Sequence, residues 1–315
     1  MNNFNNCIIV ALTSASLLFS PLGITGEKVD EKLSSVGVNT VSIENLAGEV
    51  IIIGWDKDIV TVKGELDDKA EKLVFEQVGN TINIKVELPH RGSWNSKGSE
   101  LTIHMPATLR MNFEGVSSDV DIENLTSNVI VKTVSGDIEA RKLTENIELS
   151  SVSGSIKTQA LQGKITLATV SGDINDKNSQ GRLKLQAVSG EINSATSANE
   201  VFVSNVSGNT ELSLAKVDEL RVSTVSGDTE VSLFLQNNGI VKASSVSGSV
   251  ELDFQNNVAA DFRLKANAGG DLINKLTKQK ADRAKYGPSA KLYFQTGNGN
   301  GSVRVSTVSG DVVVK

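Results

Sequence analysis

The sequence predicts an all-β protein: a single-stranded parallel β-helix, or β-solenoid, with coils of about 18 residues and a right-handed sense of coiling favoured. Three observations lead to this prediction: a recurring Val-Ser-Gly motif, apolar residues spaced by two within each repeat, and an unusual composition. Aromatic residues make up only 4% of the 315 residues, whereas there are 27 glycines and only 4 prolines. The apolar residues are mostly small or β-branched, and these suit strands and a narrow interior.

The motif recurs at nearly constant spacing. Val-Ser-Gly begins at seven valines in succession, with steps of 18, 18, 18, 18, 19 and 21 residues: Val134, Val152, Val170, Val188, Val206, Val225 and Val246. Val116 begins a related Val-Ser-Ser 18 residues before the first, and Val308 begins one more Val-Ser-Gly. A unit this short cannot bury its own apolar face, so neighbouring coils must stack.

Residues 1–26 predict an export signal. They carry no charged side chain, and Cys7–Phe19 is a mostly apolar run of 13 residues, shorter than the roughly 20 residues of a membrane span. We expect cleavage near Gly26, so that the mature chain has neither a transmembrane span nor a cysteine. Cys7 begins the apolar run instead of following it, which disfavours a lipoprotein anchor. The predicted location is therefore the periplasm or the cell surface.

Residues 27–115 are predicted to form an irregular N-terminal β region that is continuous with the solenoid. Alternating or continuous apolar runs, separated by Gly and Asp turns, predict strands at 41–43, 50–53, 59–63, 81–86 and 101–105. Residues 89–99 have the composition of a loop.

Residues 116–315 are predicted to form the regular solenoid, with a Lys-rich insertion at about 272–290 that predicts a short helix or an ordered connector. Counted from each motif valine, apolar residues recur four, six, thirteen and fifteen positions later, so one side of each strand faces inward. The valine itself is predicted to point inward, and the motif glycine to form a corner with positive φ. These corner glycines are Gly136, Gly154, Gly172, Gly190, Gly208, Gly227, Gly248 and Gly310.

The two outward faces differ in charge. Positions three and five after each valine include ten acidic residues among sixteen. The outward column of the other strand is moderately basic, with two apolar residues interspersed: Lys132, Glu148, Lys184, Arg221, Lys242 and Arg304, with Ile130 and Phe202. Successive coils lie about 4.8 Å apart, which makes four carboxylates weak Ca²⁺ candidates: Asp137, Glu139, Asp173 and Glu191. The alternative is a solvated acidic face that prevents edge-to-edge association.

Composition argues against several functions. A net charge of −6, from 31 basic and 37 acidic residues, argues against nucleic-acid binding. One cysteine excludes disulfides within the chain and, with two histidines, disfavours a Cys/His metal centre; no cofactor is expected. His90 and His104 form no recognisable catalytic triad.

An enzyme that cleaves polysaccharides would need a carboxylate pair. Asp173, Asp176 and Glu191 form the densest acidic group, but their face lacks the basic and aromatic residues that would hold an anionic sugar. The sequence therefore assigns no catalytic residue.

Two further surface features have simpler explanations. Outward hydroxyls beside the motif valines would resemble the ladders of ice-binding solenoids, although small residues that permit tight stacking explain them better: Thr133, Ser151, Thr169 and Thr224. Lys275–Lys285 could contact anionic lipid, although it has the composition of a solvated connector.

Several motifs recur along the chain or mark its ends: Asn-Leu-Ala-Gly-Glu-Val at 45–50, Gly-Trp-Asp at 54–56, Leu-Thr-Ile-His-Met-Pro at 101–106, the Val-Ser-Gly-Asp-Ile repeats, and Gly-Ser-Val-Arg-Val at 301–305. In these motifs the chain resembles a bacterial family of exported "putative adhesins", a domain of unknown function. The resemblance covers essentially the whole mature chain, implies a β-solenoid and offers no catalytic residues.

The function predicted from these features is non-enzymatic. We expect an exported, adhesin-like β-solenoid that acts as a binding or scaffolding surface at the cell envelope, with an envelope protein or a glycan as partner. One alternative is a periplasmic accessory protein of an envelope-stress or signalling system, and another is a polysaccharide-degrading β-helix enzyme. The oligomeric state stays open.

Overall fold

The computed structural model describes residues 26–89 and 97–315. The predicted export signal up to residue 25, with Cys7, and His90 with most of the predicted loop lie outside the described residues. Within the described ranges all regular elements are strands, and the 25 strands form one continuous hydrogen-bonded network. The all-β prediction is confirmed.

The N-terminal region contains seven strands. They are β1 (Lys28–Ser34), β2 (Thr40–Trp55), β3 (Ile59–Glu65), β4 (Lys72–Val78), β5 (Thr81–Glu87), β6 (Ser99–Pro106) and β7 (Arg110–Glu123).

The central region alternates shorter and longer strands. They are β8 (Val129–Thr133), β9 (Ile138–Arg141), β10 (Thr144–Ser151), β11 (Ile156–Gln159), β12 (Gln162–Thr169), β13 (Ile174–Lys177), β14 (Gln180–Ser189), β15 (Ile192–Thr196), β16 (Glu200–Ser207), β17 (Thr210–Ser226) and β18 (Thr229–Ser247).

The C-terminal region contains the remaining strands. They are β19 (Val250–Phe254), β20 (Ala260–Ala266), β21 (Leu272–Asn274), β22 (Asp282–Arg283), β23 (Ala290–Gln295), β24 (Gly301–Ser309) and β25 (Val312–Val314).

The central coils pair in parallel with the register that the repeat predicts. Ile147 pairs with Ile165, and Ile165 with Leu183, each one repeat further along the chain. One ladder runs through β8, β10, β12, β14 and β16, and a second through β9, β11, β13 and β15. The long strands β17 and β18 take part in both ladders.

The pairing is not parallel throughout, so the prediction of a purely parallel single-stranded helix is wrong at both ends of the molecule. At the N-terminal end, β1–β3, β3–β6 and β4–β5 pair antiparallel. At the C-terminal end, β20–β23 and β22–β23 do so. The sheet is therefore mixed: regular parallel coils lie between two irregular ends.

The last two strands of the chain, β24 and β25, do not lie at the physical end of the stack. β24 pairs in parallel with both β18 and β20, and β25 pairs with both β19 and β21. β24 and β25 thus occupy the coil position between β18–β19 and β20–β21, although both of those layers come earlier in the sequence. Val308 consequently lies beside Val246, although 62 residues separate them in sequence.

The N-terminal end is built in the same way. β2 pairs with β7 on one side and with both β5 and β6 on the other, so the strand that comes early in the chain is interior to the sheet. The antiparallel strands β3 and β4 flank this layer. Both ends are therefore covered by strands that interrupt the parallel ladder, which limits end-to-end association of the stack.

The core is narrow and changes composition along the stack. In the central coils aliphatic residues fill the predicted positions, such as Ile165, Leu167 and Ile174, all fully buried, and polar residues such as Thr158 and Asp176 are buried beside them. The C-terminal end instead contains an aromatic cluster. The ring centroid of Phe262 lies 4.5 Å from that of Phe294 and 5.4 Å from that of Phe254.

The motif valines point outward, which corrects the sequence prediction. Nine of them lie in one column, each between 42% and 47% exposed: Val116, Val134, Val152, Val170, Val188, Val206, Val225, Val246 and Val308. The side chain before each valine points inward instead. Strand alternation explains this, because Val129 and Val131 face inward and the next inward position is Thr133. The predicted outward hydroxyl ladder is therefore wrong for its leading members, which are buried: Thr133, Ser151, Thr169 and Thr224.

The buried hydroxyl satisfies the backbone of the corner. Thr169 Oγ1 accepts a hydrogen bond from Gly172 N at 3.0 Å and donates to the carbonyl oxygen of Gly154, in the preceding coil, at 3.1 Å. Ser151 makes the equivalent pair with Gly154 N and Gly136 O. At Gly136, Gly154 and Gly172 the corner N–H is paired by this hydroxyl, whereas the equivalent buried hydroxyls of Thr224 and Thr307 have no hydrogen-bond partner among the described residues.

Two corner types occur along the stack. The glycines at 136, 154, 172 and 190 do not have positive φ, contrary to the sequence prediction, whereas the predicted corners at Gly208, Gly227, Gly248 and Gly310 do, with φ of 126°, 114°, 126° and 158°. At the first group it is close approach that requires glycine: a Cβ on Gly136 would lie 1.8 Å from the carbonyl oxygen of Ser118. The change follows Ala187, which lacks the capping hydroxyl, and Gly190 N instead donates to Ser207 O in the next coil.

The Lys-rich segment forms no helix. It contains the short strands β21 and β22 joined by turns, and its lysines at 275, 278, 280 and 285 are exposed. It is an ordered connector, as one of the two sequence alternatives proposed. Across the described ranges, no helix has the length and hydrophobicity that a membrane crossing requires.

Candidate functional site: a cationic groove

The stacked strands bring cationic side chains from distant parts of the chain into one outward column. The register places Arg221 beside Lys242, Lys242 beside Arg304, and Arg304 beside Arg263. These four residues lie on the consecutive strands β17, β18, β24 and β20, about 4.8 Å apart per step. Alternation holds their side chains outward, because the residues on either side of each are buried.

The column forms the centre of a surface groove of about 670 Å³. Two further lysines line it: Lys184, two strands before Arg221, and Lys265, two residues after Arg263. All six cationic residues are exposed. We call this feature the cationic groove.

Most of the charge in the cationic groove is uncompensated. Arg221 pairs with Glu219, and Arg263 pairs with Asp261. Among the described residues, no ion-pair partner lies within reach of Lys184, Lys242, Lys265 or Arg304. Lys242, Arg304 and Lys265 lie on the consecutive strands β18, β24 and β20, where like charges that face solvent repel one another, so an anion that bridges them would be stabilised.

An aromatic residue and a column of hydroxyls complete the groove. Phe202 lies between Lys184 and Arg221 in the register, and the guanidinium carbons of Arg182 and Arg221 lie 5.8 Å and 5.9 Å from its ring centroid. Serines occupy the next outward column: Ser204, Ser223, Ser244 and Ser306. The groove therefore offers cations, hydroxyls and one partly exposed ring on a rigid sheet.

The acidic face has a structural explanation that sequence reasoning missed. Where an aspartate lies three residues after a motif valine, its carboxylate accepts a hydrogen bond from the backbone of the next coil, as at Asp119, Asp137, Asp173 and Asp228. Asp119 Oδ1 accepts from Asp137 N at 2.8 Å, Asp137 Oδ1 from Ser155 N at 2.7 Å, and Asp173 Oδ1 from Glu191 N at 2.8 Å. These charge-assisted bonds connect successive coils.

The Ca²⁺ candidates occupy two kinds of position. Asp137 and Asp173 accept backbone N–H groups, while Glu139 forms ion pairs with Arg141 and Lys157. Glu191 is exposed, and its own N–H donates to Asp173. Within the described part of the chain, no group of three or more His, Cys, Asp or Glu side chains is placed to hold a metal ion.

The acidic trio considered for hydrolysis is not brought together. Asp173 and Glu191 are exposed, but Asp176 faces the interior and is 1% exposed. Its carboxylate accepts hydrogen bonds from the hydroxyls of Thr158, Ser179 and Ser194. Burial raises the pKa of Asp176, and the three hydroxyl bonds oppose that rise.

His104 packs against an aromatic ring and not against an acidic partner. Its ring centroid lies 4.9 Å from that of Trp55, whose Nε1 donates to the carbonyl oxygen of Ile59 at 3.0 Å. The contact joins β2 and β6, so His104 has a packing role in the N-terminal region.

Sequence reasoning found the basic column but not the groove. Lys184, Arg221, Lys242 and Arg304 were recognised as outward residues, whereas Arg263 and Lys265 were not. They belong to β20, which joins the column only because β24 inserts beside it. The Val-Ser-Gly motif at Val308 is the sequence signal for this arrangement. Equal motifs stack on one another in every central coil, so this motif indicates that β24 stacks on an earlier coil.

Comparisons with known proteins agree with the architecture. A family model described as Toastrack DUF4097 matches residues 38–239 and 196–315. No curated protein is detectably similar to the chain. A solved structure of a "putative adhesin" from Parabacteroides merdae is 11% identical, with a TM-score of 0.55 over 72% of this chain and 96% of that chain. It has the same overall fold.

Two other solved structures match over most of the chain. A "putative adhesin" from Bacteroides fragilis is 15% identical, with a TM-score of 0.41 over 92% of this chain and 97% of that chain. A "putative cell adhesion protein" from Clostridium sporogenes is 10% identical, with a TM-score of 0.26 over 92% of this chain and 99% of that chain.

Proposed function

The chain belongs to the Toastrack DUF4097 family, and from this premise we propose that it is a non-enzymatic, adhesin-like binding protein of the bacterial cell envelope that holds an anionic partner in the cationic groove. The observation that carries the proposal is the column Arg221, Lys242, Arg304 and Arg263 on four consecutive strands. The sheet fixes the backbone positions from which these side chains project, so no backbone ordering is needed on binding, which favours affinity.

Other features support a binding role. The adhesion-related names of the three similar structures belong to those proteins, and they agree with a display surface. The three carboxylates considered for hydrolysis are not brought together, because Asp176 is buried, whereas the cationic groove is lined by cations and hydroxyls. Such a site suits retention of an anion and contains no carboxylate pair for hydrolysis.

The proposal includes export, guided by the uncharged and apolar residues 1–26. The partner would then be an anionic glycan or an acidic envelope protein. We also keep the right-handed sense of coiling as part of the proposed architecture.

A binding assay with isolated bacterial envelopes tests the proposal. Purified protein is cosedimented with envelopes, and the double variant Lys242→Gln, Arg304→Gln is compared with the wild type. We expect the retained fraction to fall about tenfold. The matched control is Lys278→Gln, Lys280→Gln, which removes the same charge from exposed positions outside the groove. Equal retention of the two double variants would refute the proposed site.

Protease accessibility of the tagged protein tests the proposed location. Digestion on intact cells would support an adhesin at the surface. Protection until the outer membrane is permeabilised would instead favour the periplasmic alternative, an accessory protein of an envelope-stress or signalling system.

A further inference from the structure

We propose that the ligand of the cationic groove is a linear acidic polysaccharide that lies across the strands, along the direction of stacking, with a carboxylate on every sugar residue. This inference rests on the proposed function and adds the class of ligand, its direction and the spacing of its charges.

The direction follows from the arrangement of the cations. Arg221, Lys242, Arg304 and Arg263 occupy the same outward position on four consecutive strands, so their column runs perpendicular to the strands. It covers about 14 Å, at about 4.8 Å per step. A compact anion would neutralise one or two of these charges, whereas an extended polymer that follows the column can meet all four.

The spacing indicates the type of polymer. A pyranose unit in an extended glycan is about as long as one strand spacing, but successive units are turned about the chain axis, so their carboxylates do not all face the column. A glycan with a uronate on every residue still carries twice the charge per length of one with a carboxylate on every second residue, so it neutralises the column more fully. Carboxylates also suit the guanidinium group of Arg304, which has no ion-pair partner among the described residues and can bind a planar oxyanion bidentately.

The neighbouring hydroxyls match a sugar. The serine column runs parallel to the column of cations. Ser223 comes two residues after Arg221, and Ser244 two residues after Lys242, so each serine lies on the same face of its strand as the cation. The hydroxyls of Ser223 and Ser244 lie 3.5 Å apart. This row offers donors and acceptors to the ring hydroxyls of a glycan at each step.

The aromatic residues lie at the ends of the column and not along it. Phe202 precedes Arg221, and Tyr293, which is 52% exposed, pairs with Arg263 at the other end. Either ring can pack against the apolar face of a sugar. Single-stranded nucleic acid would instead need aromatic rings at successive positions for its bases, and those positions hold cations here.

Titration calorimetry with defined oligosaccharides tests the inference. The probe is a polygalacturonate hexasaccharide, and its carboxyl-reduced form is the neutral control. Of these two, we expect measurable binding only of the acidic form. A hyaluronan hexasaccharide, which carries a carboxylate on alternate residues, should bind with a dissociation constant about tenfold higher than that of the polygalacturonate hexasaccharide. Equal affinity for the two acidic glycans, or tighter binding of single-stranded DNA of similar length, would overturn the inference.

Substitutions locate the site. Arg221→Gln, Lys242→Gln and Arg304→Gln should each weaken hexasaccharide binding several-fold, with a smaller dependence on salt, whereas Lys278→Gln should not. All four side chains are exposed, so the fold is expected to tolerate the changes. If hexasaccharide binding is absent but envelope retention still depends on the groove, the ligand class is wrong and the proposed function stands. If neither depends on the groove, both fail.

Discussion

The central coils and the two ends of the molecule are stabilised in different ways. Each central coil repeats the same short sequence, pairs only with its immediate neighbours, and has an aliphatic interior. The ends pair strands that are distant in sequence, use antiparallel partners and, at the C-terminal side, bury three phenylalanines. The comparison shows that a coil can be specified locally, whereas the termination of a stack requires long-range pairing.

The aromatic cluster of the C-terminal end should give the largest effect on stability. Phe262→Ala removes a fully buried ring that contacts Phe254 and Phe294, and we expect a loss of about 3–5 kcal/mol. Hydrogen exchange should localise the loss to β20, β23 and β24. Tyr293→Ala, on the exposed side of β23, is the control and should cost much less. A loss spread evenly over the central coils would mean that the end is not a separate cooperative region.

Substitution of a corner glycine in the central coils should have the second largest effect on stability. In Gly136→Ala the new Cβ would meet the carbonyl oxygen of Ser118 at 1.8 Å, so two coils must separate, and we expect a cost of about 3 kcal/mol in chemical denaturation. Gly269→Ala is the contrast at the C-terminal end: φ is +123° but no atom lies within 4 Å of the added Cβ, so we expect only about 1 kcal/mol. Similar costs at the two positions would contradict the role of coil-to-coil contact.

Asp176 tests how a buried charge is tolerated in the central coils. Its pKa is raised by burial, so its contribution to stability is complete below the ordinary pKa and is lost as pH rises through the raised value. Asp176→Asn should therefore gain in melting temperature relative to the wild type between pH 4 and pH 7. Asp176→Ala should cost about 2 kcal/mol at pH 4, because three hydroxyls lose their acceptor. A constant difference between Asn variant and wild type at all pH values would refute the shift.

The smallest expected effect distinguishes the two sides of a corner. Thr169→Val keeps the shape of the side chain but removes the partner of Gly172 N and Gly154 O, so we expect a loss of about 1 kcal/mol. Val170→Thr alters a side chain that is 43% exposed and should change stability by less than about 0.5 kcal/mol. The opposite ranking would restore the inward valine that the sequence suggested.

The sequence predicts the central coils well because their register depends on local periodicity. Ile147, Ile165 and Leu183 lie where the repeat places them. The direction of Val134 was mispredicted because hydrophobicity outweighed alternation: Thr133 takes the inward position, where its hydroxyl accepts the corner N–H of Gly136. The backbone N–H at the corner needs an acceptor, and this need determines which side chain points inward. Hydrophobicity alone gives no information about it.

Local sequence patterns predict neither the two ends of the stack nor most of the cationic groove. Nothing near Arg263 in sequence indicates that Arg304 will lie between it and Lys242. From the sequence, Asp176 is likewise grouped with the outward acidic residues, whereas in the structure it is buried. In both cases the missing information is which strands are neighbours, and that depends on pairing across tens of residues.

The insertion of β24 between β18 and β20 has a consequence for biogenesis. During synthesis, β20 leaves the ribosome before the strand that must separate it from β18, so the growing chain cannot place it in its final position. Until β24 arrives, Lys242 and Arg263 have no fixed spacing and Arg304 is absent. Ligand binding would therefore report that translation has passed β24, and a prematurely terminated chain could keep its central coils and still be inert.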